Sequence, residues 1–310
     1  MVKNSEQQPK PFPPNPLREK HEKFLSKIPE DVRENLFSSK VSHEKRAEIL
    51  TNMCEEGESL VNQYSWAVPN NKCLNILNHF APIVEIGCGK NAYWSKMMFD
   101  YGIDVIAYDI DLDEGGQISH SPDKKATKKQ KIETSNDESK FNVQKGGPEV
   151  AKKCADRTLF LCYPDEKYDD DGSSLGISCL TNYEGEYVIH VGELYGSHTL
   201  SIDQAPYGRS SSCDFQDYLN TYFHCILNMR IPNWIHVNDT LSVWKRSELC
   251  TVVYADDEEG GKESADDEAE EDDIAEYKFI PVEERLPVDV AAPCVRHLLE
   301  LDVTDKEDKK

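Results

Sequence analysis

No stretch of the 310 residues approaches the roughly 20 consecutive apolar residues of a membrane span. The first eight residues are largely polar and run into prolines, so no secretory signal is expected. The ten cysteines include no Cys-x-x-Cys pair, which argues against a structural metal. Several, Cys88, Cys162 and Cys225 among them, lie inside apolar runs and read as reduced core thiols of an intracellular protein. Basic residues are scarce: 35 Lys and Arg face 58 Asp and Glu, a net charge of −23. That balance disfavours a general grip on a nucleic-acid backbone, although a local basic groove can coexist with an acidic total. The deficit is uneven, because residues 256–276 hold thirteen acids and one lysine. Such a run reads as a solvated, disordered segment.

What is present centres on residues 83–109. The apolar run Ile83-Val84-Glu85-Ile86 ends in Gly87-Cys88-Gly89. A helix-length segment with Ala92, Tyr93, Met97, Met98 and Phe99 follows, closed by Gly102. A second apolar run, Val105-Ile106-Ala107-Tyr108, then ends on Asp109. This is a strand, tight turn, helix and strand. Gly87 and Gly89 let the backbone turn sharply and come close to a ligand. The helix beginning near Asn91 turns its N–H groups toward the same place. Asp109, at the end of the second strand, can accept hydrogen bonds from the two hydroxyls of a ribose. Gly87, Gly89 and Ala92 also fit the dinucleotide fingerprint. Glu85, however, stands where a dinucleotide-binding strand is normally apolar. A carboxylate there suits a ligand with positive charge to place, such as the α-amino group and sulfonium of S-adenosylmethionine. A plain buried strand-helix-strand unit is the bland alternative, and it has no use for Glu85.

Along the chain, residues 1–20 are proline-rich and read as disordered, and 21–80 read as an N-terminal helical cap. An α/β domain spans 81–250, with a disordered insertion at 112–140. That insertion carries Lys124-Lys125-Ala126-Thr127-Lys128-Lys129-Gln130-Lys131, dense enough for a nuclear-import peptide. Strands are expected near 141–143, 158–162 and 186–193, and a long helix over 215–228. A closing hairpin is expected from runs 231–237 and 241–246 around Asn238 and Asp239. The acidic stretch 251–276 is taken as disordered, 277–286 as an edge strand and 287–310 as tail. Alternating strands and helices imply a Rossmann-like, doubly wound, mostly parallel sheet.

The Glu85-x-Gly87-x-Gly89 turn resembles motif I of the class I S-adenosylmethionine-dependent methyltransferases, with Asn91 in place of the third glycine. The likeness extends to Ser65-Trp66-Ala67-Val68-Pro69, Tyr93-Trp94, Leu161-Cys162-Tyr163-Pro164, Val191-Gly192-Glu193, Pro232-Asn233-Trp234 and Asp239-Thr240-Leu241-Ser242-Val243-Trp244. Together these are similar to a methyltransferase-like group, over roughly residues 60–247 apart from the insertion. The resemblance implies that Glu85, Gly87, Gly89 and Asn91 hold the methionine end. It implies that Asp109 holds the ribose, that Ile110 flanks adenine, and that Cys162 lies at the cofactor edge of its strand. Tyr163 and Asp165 would face the substrate, and His190 or Glu193 could act as base, His190 reading more readily as a core histidine. Cys162-Tyr163-Pro164 lacks the polar residue and double proline of the amino-group methyltransferases. Three readings stay open at this point: a methyltransferase with an unidentified small-molecule, protein or RNA acceptor, an inactive binding module of the same fold, and a nicotinamide-dependent oxidoreductase. Location reads as cytoplasmic or nuclear, and oligomeric state is not read from the sequence.

Overall fold

Four short runs rich in Val, Ile, Leu and Phe, and the more polar Val143-Gln144-Lys145, become parallel strands: β1 (Ile83–Ile86), β2 (Val105–Asp109), β3 (Val143–Lys145), β4 (Thr158–Cys162) and β5 (Tyr187–Gly192). The structure is a computed structural model that describes residues 10–112, 141–165, 174–195, 205–253, 274–286 and 292–300. Two further strands, β6 (Phe223–Arg230) and β7 (Thr240–Arg246), complete a seven-stranded sheet of order β3-β2-β1-β4-β5-β7-β6. β7 runs antiparallel to both neighbours. The central strands β1 and β4 are buried along nearly their whole length, as strands covered on both faces must be. From β1 the chain first builds outward to β3 and then returns to lay β4 on the other side, so the strand order reverses between β1 and β4.

Helices cover both faces, and three of the four start where a short polar side chain caps them. On one face α4 (Asn71–His79), capped by Asn70, and α5 (Tyr93–Tyr101) bury Leu74, Leu77, Trp94 and Met98 against Phe160, Ile189 and Val243. On the other, α6 (Leu175–Asn182) and α7 (Cys213–Tyr222), capped by Ser174 and Ser212, bury Leu180, Phe215 and Leu219 against Val84, Leu159 and Val188. A separate core joins α1 (Pro16–Leu25) and α3 (His43–Gln63) through Leu17, Phe24, Ile49, Met53 and Leu60, with Leu36 following and partly buried Val32 within α2 (Glu30–Glu34) packed against it. It closes on Trp234 and Val237, which fastens the helical cap beside the C-terminal end of the sheet.

Several expectations change. Order begins before residue 20: Asn15 caps α1 by accepting from the Arg18 N–H, and Leu17 is fully buried. The expected helix over 215–228 ends at Tyr222. Phe223, His224, Cys225 and Leu227 instead pair with β7, with Ile226 at a bulge between Cys225 and Leu227. A strand buried on both faces shows no alternation, so its apolar residues continued the helix pattern in the sequence. Consequently β6 and β7 form the hairpin, and Ile231, Trp234 and Val237 lie in the connection, where they anchor the cap. The segment expected as an edge strand joins no main-sheet strand: β9 (Ile274–Phe279) pairs antiparallel with β8 (Glu248–Val253) in a two-stranded ribbon. Part of the expected tail is core, since Ala292, Val295 and Leu298 are buried and the Ala292 N–H takes the Ile226 carbonyl at the bulge. The lysine run 124–131, residues 113–140 and most of the acidic stretch (254–273) lie outside the described residues.

Candidate functional site

The glycine turn forms at the C-terminal end of β1. Gly87 and Gly89 both take positive φ, +75° and +69°, a region that a side chain disfavours. Around Gly89 the space a Cβ would occupy is open, so the backbone there is bare to an approaching molecule. Ala92, at the N-terminal cap of α5, is also left-handed. The turn is braced from β2. Asp109, almost fully buried, accepts the Gly89 N–H at 2.9 Å on one oxygen and the Asp111 N–H at 3.0 Å on the other.

Glu85 lies beneath the turn with 2% of its surface exposed. Burial pushes its carboxyl up to about 7, opposed by the hydroxyl and backbone N–H of Ser95 on α5. The Ser95 hydroxyl donates to Oε2. Without that donor the acid would have no place in a core. Asn91 turns its amide toward the cap, donating to the carbonyls of Asn62 at 3.1 Å and Tyr64 at 3.4 Å. Thus the residue at the third glycine position ties the turn to the end of α3.

These elements enclose a cavity of about 580 Å³. Its wall includes Glu85, Gly87, Gly89 and Asn91 from the turn, Cys162 and Tyr163 from the end of β4, and Trp66 from the segment after α3. It therefore opens where the strand order reverses, the place where sheets of this kind bind ligands. Cys88 and Cys162 are both thiols held protonated, pushed up chiefly by burial, which leaves neither as a nucleophile.

Tyr163 has left-handed backbone, φ +51°, directly after β4. Its ring lies nearly parallel to Trp66, with centroids 6.2 Å apart, and its hydroxyl donates to Asp239 at 2.5 Å. Asp239, 1% exposed, is pushed up to about 7 by burial; the Tyr163 hydroxyl lowers it and the nearby Glu193 raises it. Burial and the Asp239 charge hold the Tyr163 phenol well above its ordinary range.

The structure thus brings together Glu85, Gly87, Gly89, Asn91, Cys162 and Tyr163 around one cavity. Asp109 stands behind the turn. Ile110 lies one residue further on, 62% exposed at the end of β2. Glu193, expected at the cleft as a base, is fully buried outside the cavity wall, directly after Gly192 at φ +143°. Its Oε1 accepts the Asn238 N–H at 2.6 Å. His190 is a core histidine, pushed down to about 3 by burial and so neutral. Asp165 accepts from Ser174, from the Ser212 N–H and from the Gly176 N–H, a set of bonds that fixes the starts of α6 and α7. Sequence reasoning missed Ser95, Trp66 and Asp239. A buried acid at Glu85 demands a donor about one strand-to-helix step away, which was the available signal for Ser95. Asp239 carried none, since Asn238-Asp239 reads as an ordinary turn.

No protein-family profile matches the chain, and no curated protein does. Among solved structures it overlaps magnesium protoporphyrin IX methyltransferase (ChlM) from Synechocystis PCC 6803 with bound SAH, at 10% identity and TM-score 0.34, over 70% of this chain and 94% of that one. It also overlaps a SAM-dependent methyltransferase from Aquifex aeolicus, at 11% identity and TM-score 0.27, over 57% and 93%. Overlaps this loose assign nothing by themselves. The strand order and the single reversed strand β7 among the described residues are what define the architecture. The chain has a Rossmann-like, doubly wound α/β fold.

Proposed function

We propose that the chain is an S-adenosylmethionine-dependent methyltransferase. The observation that carries this reading is a buried carboxylate, Glu85, in the wall of a cavity beside an open glycine turn at the switch point of the sheet. A pyrophosphate would be repelled by that acid, whereas an ammonium group would restore its charged form. Glu85 and the Gly87–Gly89 backbone would hold the methionine end. Asp109, with lone pairs remaining beyond its two backbone N–H bonds, would take the ribose, and exposed Ile110 would cover adenine. When bound, the cofactor supplies a methyl group on a sulfonium, a strong electrophile that needs little acid–base help. The protein's share is then alignment and exclusion of water. Trp66 and Tyr163 form the acceptor side of the cavity. Asp239 holds the Tyr163 hydroxyl in place, and Glu193 acts on Asp239 from behind rather than on the acceptor.

The test is transfer of label from methyl-labelled S-adenosylmethionine into fractionated cell extract. Labelling of one acceptor class by the wild type, reduced at least tenfold in Glu85→Gln, is the expected result. Cofactor binding without any transfer would make the domain a binding module. Binding of NAD in its place would overturn the reading.

A further inference from the structure

The cavity wall carries the aromatic side chains of Tyr64, Trp66, Tyr93, Trp94 and Tyr163. Two of them close on each other edge to face, since the rings of Tyr64 and Tyr93 stand at 72° with centroids 5.3 Å apart. Trp94 is turned into the core, where it packs on Phe160 and donates to the Ser65 hydroxyl. Trp66 and Tyr163 differ from these, because they face each other ring to ring, 19° from parallel. Their centroids lie 6.2 Å apart, against 4.9 Å in the parallel stack of Phe12 on Tyr101 elsewhere in the chain. A flat group held between two rings needs about 7 Å, two carbon–carbon contacts of roughly 3.5 Å each. The pair therefore stands wider than the closed stack and within about 1 Å of an open slot.

Each ring is carried by a different part of the molecule. Tyr163 follows β4, and its hydroxyl donates to Asp239 at 2.5 Å. Trp66 lies between α3 and α4, and its carbonyl accepts the Trp234 Nε1–H at 3.3 Å. Both residues keep part of their surface exposed, so a small shift of the Trp66 ring is enough to admit a guest. Ile110, which covers adenine in the reading above, stands at the end of β2, and β2 and β4 lie on opposite sides of β1. The slot is thus on the acceptor side. Resting on the methyltransferase reading, we infer that the acceptor is a flat aromatic or heteroaromatic ring gripped between Trp66 and Tyr163. Two parallel π faces reward a third of the right thickness, whereas a puckered ring or an aliphatic chain is too thick to gain the same contacts.

The probe is naphthol, a flat fused ring with one hydroxyl, compared with decahydronaphthol, the same skeleton saturated and puckered. Both are titrated against the full chain, with and without saturating S-adenosylhomocysteine. The saturated alcohol is no less apolar, so burial alone would not favour naphthol. We expect naphthol to bind at least tenfold tighter, with its ring protons moved upfield in the magnetic resonance spectrum, as two flanking ring faces require. Trp66→Leu should lose at least tenfold of that affinity and Trp66→Phe should recover most of it, while both keep S-adenosylhomocysteine binding. Equal binding of the two alcohols, naphthol protons that do not move, or an unaffected Trp66→Leu would overturn the proposal without touching the cofactor reading. Displacement of naphthol by S-adenosylhomocysteine would also overturn it, because the slot would then hold adenine. Failure of S-adenosylhomocysteine to bind at all, with naphthol bound as described, would instead bring down the cofactor reading and, with it, the assignment of the slot to an acceptor.

Discussion

At the scale of single residues, the site stores two acids that water would keep ionised. Glu85 and Asp239 both lie in the core with carboxyls raised to about 7 by burial. Each folded-state value is above its unfolded one, so the folded chain binds the extra protons. Their contribution to stability is fully present below about pH 4, where both states are protonated, and is lost as pH rises through about 7. Glu85→Gln keeps an acceptor for the Ser95 hydroxyl and removes the charge. We expect it to raise the melting temperature of the ligand-free protein at pH 8, to flatten the fall in stability between pH 5 and 8, and to weaken S-adenosylhomocysteine binding. A variant that stabilises the fold while damaging binding marks an acid kept for function. Loss of stability together with loss of binding would make Glu85 a structural residue. The pair Tyr163 and Asp239 makes a second prediction. Asp239→Asn removes the charge that faces the phenol, so the Tyr163 ionisation followed by ultraviolet absorbance should move to lower pH, while Tyr163→Phe removes that titration altogether. An unmoved titration would mean that the hydrogen bond between them is not formed in solution.

At the scale of elements, the glycine turn is held from two sides, by Asp109 of β2 and by Asn91 reaching to α3. Hydrogen bonds of this kind contribute roughly 0.5–1.5 kcal/mol each. Asn91→Ala should therefore cost about 1 kcal/mol by urea unfolding and loosen the end of α3, seen as faster amide exchange near Tyr64. No change would mean that the cap docks through its apolar core alone. Gly89→Ala faces a left-handed backbone at a cost of roughly 1–2 kcal/mol, with open space around it. It should fold, with a lowered melting temperature, and lose cofactor affinity by much more than that strain. The two strands of this unit were legible because periodicity, glycines and an acid fell in a fixed order. Phe223, Ile226 and Leu227 were not legible as a strand, because residues buried on both faces have no alternation, and their partner β7 lies further along the chain. Asn91 was read as a cofactor contact from its place in the motif, yet its amide serves the cap, an interaction with residues 27 and 29 positions away that no local pattern encodes.

For the whole molecule, we expect the charge of the acidic run and the fold to be separable. Val253 pairs directly with Ile274, so an Asn-Gly turn can replace residues 254–273 and close the ribbon as a tight hairpin. The shortened chain should keep its melting temperature and cofactor affinity. A large drop in melting temperature would show that the acidic run contributes to folding. The main sheet could be anticipated from the alternation of apolar runs and helices, while the C-terminal residues Ala292, Val295 and Leu298 could not, since three buried residues among polar ones leave too weak a pattern. We propose above all that Glu85 meets a positively charged ligand in the cavity at the ends of β1 and β4. Titration calorimetry of the full chain with S-adenosylhomocysteine at pH 6, repeated in two buffers of different ionisation enthalpy, tests it most directly. One site is expected, with proton release on binding, because an ammonium group beside Glu85 draws its carboxyl down from about 7, and this proton release should vanish in Glu85→Gln. Saturable binding with the same heat in both buffers, or binding of NAD but not of S-adenosylhomocysteine, would contradict it.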